Sequence, residues 1–338
     1  MRLANKVSAS ANEAETLCIL KSAASGRATG FWCYLAPGRL LVSLSTTLVR
    51  SGERAYGASP QGLAMRLSFV QPRPELQPYI ESFWVFESPV GMPVTDTSIA
   101  APNGCPKLII PCENSLVSRA DERTQVSHEG GLYFVGNRDT QTTIHSSARK
   151  TGFVVIEFSP HGAYPFFGVP MEETVNGLFD AETVFGKWGR EVRETLRNLE
   201  VVDRKVNFIE DQLVALMRKA PPRNTLIEFC VGALRSSRGR VAIGELERRT
   251  GYSRRYLGML FNRHVGLSPK VLAGIFRFQT FYRKWARGLP YNALKEELYE
   301  YYYDQAHFTK EFKKMTGYSP RKFILKASNE FGRRLSLK

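Results

Sequence analysis

From Leu226 onward, apolar residues recur at three- and four-residue spacing, and two segments carry this pattern in matching form. Ser253–Phe261 reads Ser-Arg-Arg-Tyr-Leu-Gly-Met-Leu-Phe, and Asp304–Phe312 reads Asp-Gln-Ala-His-Phe-Thr-Lys-Glu-Phe. Each opens on a residue whose side chain caps helix N-termini. Leu257, Leu260 and Phe261 in the first, and Phe308 and Phe312 in the second, fall on one helix face. Each segment runs into a glycine turn and a Ser-Pro helix start, Gly266-Leu-Ser-Pro269 and Gly317-Tyr-Ser-Pro320. The two copies lie 51 residues apart, which predicts two helix-turn-helix units in tandem. In the first unit Val241–Thr250 is the expected supporting helix and Ser253–His264 the recognition helix.

The pattern upstream is different. Phe83-Trp-Val-Phe86, Lys107-Leu-Ile-Ile110, Gly131-Leu-Tyr-Phe-Val135 and Phe153-Val-Val-Ile-Glu-Phe158 are short, β-branched and aromatic, with turn residues between them. Asn103-Gly104 and Glu129-Gly130-Gly131 read as turns. Residues 65–165 therefore predict a β-sandwich or small cupin-like barrel. Lys187–Leu199, and a second segment capped by Asp203 with Val206, Ile209, Leu213, Leu216 and Met217, read as amphipathic helices. They make residues 166–222 a helical linker whose apolar stripes serve either internal packing or a dimer contact. Pro221-Pro222-Arg223-Asn224 marks a boundary. The expected fold class is α+β. A β-rich domain with a helical subdomain precedes an all-α domain at 223–327. Residues 1–64, rich in Ser, Ala, Gly and Arg, read as a disordered tail with Met65 as an alternative start. Residues 328–338 read as a second tail.

Charge sharpens this division. The formal net charge is +15, and between Arg240 and Lys326 there are 18 Lys/Arg against 7 Asp/Glu, a net of +11 in 87 residues. A basic domain coinciding with a helical repeat is the footprint of a polyanion binder. Five scattered cysteines without a Cys-x-x-Cys pair argue for a reducing cytoplasm. Five scattered histidines give no metal-ligand spacing, no cofactor motif is present, and no nucleophile has an evident triad partner. The N-terminus lacks the apolar run of a signal peptide, and Arg39 interrupts the one apolar stretch near it.

At this point the residues carry a resemblance. Gly251-Tyr-Ser-Arg-Arg-Tyr-Leu257, Gly266-Leu-Ser-Pro-Lys270, Tyr302-Tyr-Asp-Gln-Ala-His-Phe308 and Phe312-Lys-Lys-Met-Thr-Gly-Tyr-Ser-Pro320 resemble the DNA-binding domain of AraC/XylS-type transcriptional regulators over about Leu226–Leu325. More weakly, Leu76–Trp84, Ala101-Pro-Asn-Gly104, Val135-Gly136 and Glu157-Phe-Ser-Pro160 are similar to a sensor-like β-domain of some such regulators. The resemblance implies a bacterial regulator that binds double-stranded DNA as a monomer or homodimer, responds to a small-molecule effector and works with RNA polymerase. It departs from the pattern at Glu247 and Glu297, where a small alanine is usual, and at Tyr301, where a glycine is usual. A buried unpaired carboxylate at either position would be costly.

On this reading the first recognition helix presents Arg254, Arg255, Tyr256, Gly258 and Met259 to the groove. The second presents Gln305, Ala306, His307 and Lys310. Arginine can pair bidentately with guanine, and glutamine with adenine. Arg283, Lys284, Arg287, Lys313, Lys314, Arg321 and Lys322 are candidates for the phosphate backbone, which carries affinity but no sequence information. In the β-domain, Trp84, Phe86, Tyr133 and Phe158 could line an effector cavity, with Arg138 or His145 orienting a polar ligand. The competing reading is a degraded regulator that acts as an interaction module without specific DNA binding.

Overall fold

The structure, a computed structural model, describes residues 15–21, 28–36, 39–42, 65–92, 98–120, 122–220, 222–289, 300–326 and 330–336. Within residues 1–51, β1 (Glu15–Lys21), β2 (Ala28–Ala36) and β3 (Arg39–Val42) form an antiparallel sheet, with Thr16 opposite Cys33 and Cys33 opposite Val42. The stretch expected as a tail thus contains strands.

Residues from 52 onward form a second unit. It begins with β4 (Arg66–Val70), β5 (Ile80–Ser88), β6 (Ile99–Ala100), β7 (Lys107–Glu113), β8 (Leu116–Ala120), β9 (Arg123–Ser127), β10 (Tyr133–Val135), β11 (Thr142–Ser146), β12 (Thr151–Phe158) and β13 (Leu178–Asp180). They build two sheets, ordered β13-β10-β7-β12-β5-β4 and β6-β11-β8-β9, a sandwich rather than a closed barrel. The four segments expected to be strands are strands β5, β7, β10 and β12. β12 is buried at every residue because it lies inside the larger sheet and is covered on both faces, which is why its sequence is a continuous apolar run.

One face of that sheet packs Phe83, Ile110, Phe134 and Val154 against helices Lys187–Arg197 and Val202–Met217 through Val192, Leu196, Val206, Ile209 and Leu213. The amphipathic stripes are therefore spent on the protein's own sheet. Asp203 is not the cap expected of it. The helix starts after Val201 without a side-chain cap, and Asp203 sits in the first turn, where its charge still favours the helix dipole. β13 pairs with β10, Asp180 opposite Tyr133, so the sandwich reaches past residue 165.

The opposite face packs Trp84, Phe86, Phe153 and Val155 against the second sheet and against Phe331. Phe331 belongs to a helix, Glu330–Ser336, in the segment expected as a tail. Its ring lies 5.8 Å from Phe86 and 6.5 Å from Trp84. Arg334 donates to the Met65 carbonyl at 2.8 Å, and Arg333 to that of Ala286 at 2.8 Å. Phe331 and Leu335, four apart, give this short helix an apolar face that the sandwich buries.

The all-α part starts at Thr225–Ser236, whose N-cap Asn224 accepts from the Ile227 amide. Ile243–Thr250, Arg254–Val265, Pro269–Ala286, Gln305–Thr316 and Pro320–Lys326 follow. Leu246, Leu257, Phe261, Phe278, Phe308, Phe312 and Phe323 form one core across both helix-turn-helix units. The long helix Pro269–Ala286 links them: Phe281 meets Phe308 at 4.9 Å and Phe278 meets Phe312 at 5.6 Å.

Candidate nucleic-acid interface

The two recognition helices, Arg254–Val265 and Gln305–Thr316, are built alike. Ser253 accepts from the Tyr256 amide at 3.3 Å, and Asp304 from the His307 amide at 2.7 Å. Each ends at a glycine in the left-handed region, Gly266 and Gly317, both with φ of +79°. Leu257, Leu260, Phe261 and Val265 are buried beneath the first helix, and Phe308, Phe312 and Met315 beneath the second. Toward their N-terminal ends the helices expose Arg254, Arg255, Tyr256 and Met259 on one, and Gln305, Ala306, His307 and Lys310 on the other. Gly258 is half-buried with open space around it, so it leaves a gap between readers. Tyr252 stacks on Tyr256 at 4.9 Å and stiffens the entry to the first helix.

Glu247 is not the buried unpaired carboxylate the sequence suggests. Its side chain lies at the surface, accepts from the Arg254 amide at 2.6 Å and pairs with the Arg254 guanidinium at 3.2 Å. It acts as a second N-cap beside Ser253 and ties down Arg254, leaving Arg255 as the exposed arginine best placed for a base. Tyr301 packs under Arg240, which lies 5.3 Å from its ring, and Arg238 donates to its hydroxyl. Tyr302 is buried in the shared core. Glu297 lies outside the described residues.

The basic residues fall into three settings. Lys313, Arg321 and Lys322 are exposed at the end of the second unit. Lys314, also exposed, forms a 2.6 Å ion pair with Asp139 of the sandwich. Arg283, Lys284 and Arg287 line a groove of about 460 Å³ shared with Glu81 and Asn103 of the sandwich. Burial, with Arg235 and Arg287 nearby, lowers the proton affinity of Arg283. That setting is a domain junction, which residue type alone could not distinguish from a backbone contact.

The junction continues along the recognition helices. Arg263 donates to the Tyr164 hydroxyl at 2.7 Å, and His264 lies 4.1 Å from that ring. An added Cβ on Gly266 would sit 2.5 Å from the Met171 carbonyl oxygen, so only glycine fits there. Gln279 donates to the Pro102 carbonyl at 2.6 Å, and Arg235 pairs with Glu81 at 2.6 Å. His161 is half-buried here, and desolvation takes its imidazole down to about 4.

Between the sheets lies a cavity of about 90 Å³, walled by Ile109, Val135, Ile144 and Leu178, with Lys107 and Arg138 as its cations and Leu335 closing one side. Lys107 lies 3.7 Å from Glu157, its cross-strand partner, and burial draws its ammonium down to about 8. Of the six residues expected at a ligand, Arg138 lines the cavity. Trp84 and Phe86 meet Phe331, Phe158 faces the helical side, and Tyr133 is buried with its hydroxyl accepting from the His128 amide. His145 is exposed because strand alternation turns its neighbour Ile144 inward. Lys107 and Glu157 were missed: within a strand their charges read as ordinary surface.

Residues 246–325 match the family described as "Helix-turn-helix domain". The chain carries an AraC-type DNA-binding domain. With it, the protein is a DNA-binding transcriptional regulator. Residues 68–180 match a second family, a domain of unknown function (DUF6597), and the match stops at the last residue of β13. No curated protein sequence matches the chain. Among solved structures, ToxT from Vibrio cholerae O395 is 14% identical, with a TM-score of 0.41 over 73% of this chain and 99% of that one. The AraC-like transcriptional activator CuxR is 17% identical, with a TM-score of 0.28 over 64% and 80%. The cupin domain of Schizosaccharomyces pombe Cnp3 is 12% identical, with a TM-score of 0.23 over 44% and 89%. Likenesses at this level assign nothing to individual residues. Among the described residues no helix is long and apolar enough to cross a membrane.

Proposed function

We propose that the protein controls transcription by setting Arg254–Val265 and Gln305–Thr316 into successive major grooves of one DNA duplex. One observation carries this reading. Both helices expose polar readers on one face while their other faces share a single core, so the two can engage the same duplex together. Arg255 would read guanine, Gln305 adenine, and His307 and Lys310 base edges or phosphate. Lys313, Arg321 and Lys322 would hold the backbone.

The same proposal gives the sandwich a sensing role. A cavity with apolar walls and two cations suits a small molecule bearing a polar or acidic group. At about 90 Å³ it admits a compound of a few heavy atoms while Leu335 stays in place. Because the helical stripes are buried against the sheet, one copy supplies both recognition helices without a dimer contact there.

The test is a titration of the full chain against a duplex selected from random sequence and against its scrambled version. Replacing Gln305, His307 and Lys310 together by Ala should lower the ratio of the two affinities by at least tenfold, about one good base contact. An unchanged ratio would mean the second helix does not read DNA and would favour the interaction-module alternative.

A further inference from the structure

One segment of the sandwich touches both recognition helices. After β10 the chain runs through Gly136, Asn137, Arg138, Asp139, Thr140 and Gln141 before β11 begins. The buried Asn137 side chain donates to the Val265 carbonyl at 2.8 Å and to that of Pro160 at 3.2 Å. Val265 is the last residue of the first recognition helix, where carbonyls lack partners within the helix. Two residues on, the Asp139 carboxylate accepts from Lys314 at 2.6 Å, in the last turn of the second recognition helix. Asp139 is itself held by the Asn176 side chain, whose Nδ2 donates to its carboxylate at 2.8 Å and whose Oδ1 accepts from its backbone amide at 3.1 Å. Gln141 then borders Gly317, the glycine that ends that helix.

The segment cannot shift easily. Gly136 packs against the Thr174 backbone so tightly that a Cβ would lie 1.9 Å from its carbonyl oxygen. Side chains of an extended chain alternate between its two sides. Here Gly136 and Arg138 line the cavity, while Asn137 and Asp139 reach the helices. The grip is at the C-terminal ends of both helices, and the readers toward their N-terminal ends stay exposed. A contact placed there positions the helices without covering them.

We infer that Asn137 and Asp139 are positioning residues that clasp the two recognition helices and fix the groove-to-groove spacing at which the protein reads DNA. This rests on the DNA-reading proposal above. The two units already share a core along the linking helix, and Arg263 adds a contact from the first to Tyr164. The clasp adds a polar attachment from one segment to the far end of both recognition helices, which would restrain rotation of one unit against the other. Successive major grooves on one face lie about 34–36 Å apart, and each inserted base pair moves the second site by about a tenth of a turn. A clasped pair must lose contacts when the spacing changes. An unclasped pair can follow it.

The experiment uses the full chain and a duplex selected from a random library by the wild type, with one or two base pairs then inserted between its two blocks of preferred sequence. The wild type should bind the inserted duplexes at least tenfold more weakly, roughly the loss of one set of base contacts. Asp139→Ala and Asn137→Ala should bring that penalty below about threefold, since freed units retain most of those contacts. Asp139→Ala stands alone if Asn137→Ala fails to fold. Pairing Asp139→Lys with Lys314→Asp should restore the penalty by rebuilding the ion pair in reverse. The readout compares two duplexes on the same protein, so a direct phosphate contact by Lys314 cancels. A full penalty in folded Asp139→Ala would overturn the clasp while leaving DNA reading intact, as would an Asp139→Ala protein that binds the original duplex more tightly, which would make the contact a lock. A wild type that enriches no sequence would remove the DNA-reading proposal and the clasp with it.

Discussion

Arg254 and Arg255 are neighbours of the same type, and the structure gives them different work. Both are exposed, but Arg254 is held by Glu247, whereas Arg255 stands one position on along the helix that would enter the groove. Arg255→Ala should therefore cost about 1–3 kcal/mol of discrimination and relax preference at one or two base pairs. Arg254→Ala should weaken the selected and scrambled duplexes alike. Binding titrations of both variants separate the roles, and equal losses of specificity would contradict the assignment. The sequence supplied the two arginines but not the distinction. Glu247 lies seven residues before Arg254 on another helix, and only the fold brings them together. His161 carries a pH prediction. Its folded value of about 4 lies below the unfolded value of about 6.5, so the unfolded chain takes up the proton first. Stability should be full above pH 6.5, fall as pH drops from there to about 4, and level off below, with a slope of at most about 1.4 kcal/mol per pH unit from this group. Urea denaturation from pH 4 to 8 should show that slope in the wild type and a smaller one in His161→Gln. Matching curves would mean the imidazole is solvated in the folded protein.

At the scale of elements, legibility tracked burial. β5, β7, β10 and β12 announce themselves because they lie in the larger sheet and are rich in Val, Ile, Phe and Tyr. β8, β9 and β11 do not, because their half-exposed strands carry Ser118, Arg119, Arg123, Thr124, Gln125 and Thr143. The first recognition helix, expected at Ser253–His264, runs Arg254–Val265, and the start of the second is legible at Asp304, because each is bracketed by a cap and a glycine stop. The C-terminal helix is the instructive miss. Seven residues with two apolar positions give too little periodicity to distinguish a helix from a tail, and its partner, the sandwich core, lies far away in sequence. Its docking can be measured. Phe331→Ala should destabilise the protein by about 3–5 kcal/mol in chemical denaturation, the range for deleting a buried ring. It should also red-shift the emission of Trp84, 6.5 Å away. A change below about 1 kcal/mol would mean that the helix rests on the sandwich without being part of its core.

At the scale of the whole molecule, the division into a β-rich part and a basic helical part was visible from hydropathy and charge, and the family matches at 68–180 and 246–325 follow the same division. The junction was not visible. Asn137, Asp139, His161 and Tyr164 are ordinary loop or turn residues in sequence, and they matter because recognition-helix ends come to rest beside them. The central claim is that one copy of this chain reads two successive major grooves. Guanine-methylation interference on the selected duplex tests it most directly, because a methyl on guanine N7 blocks a contact only where a side chain enters the major groove. The account predicts two blocks of interference on one face of the duplex, centred about 10–10.5 base pairs apart, with Arg255→Ala erasing signal in one block alone. A single block, or one that survives Arg255→Ala and the triple replacement of Gln305, His307 and Lys310 alike, would contradict it.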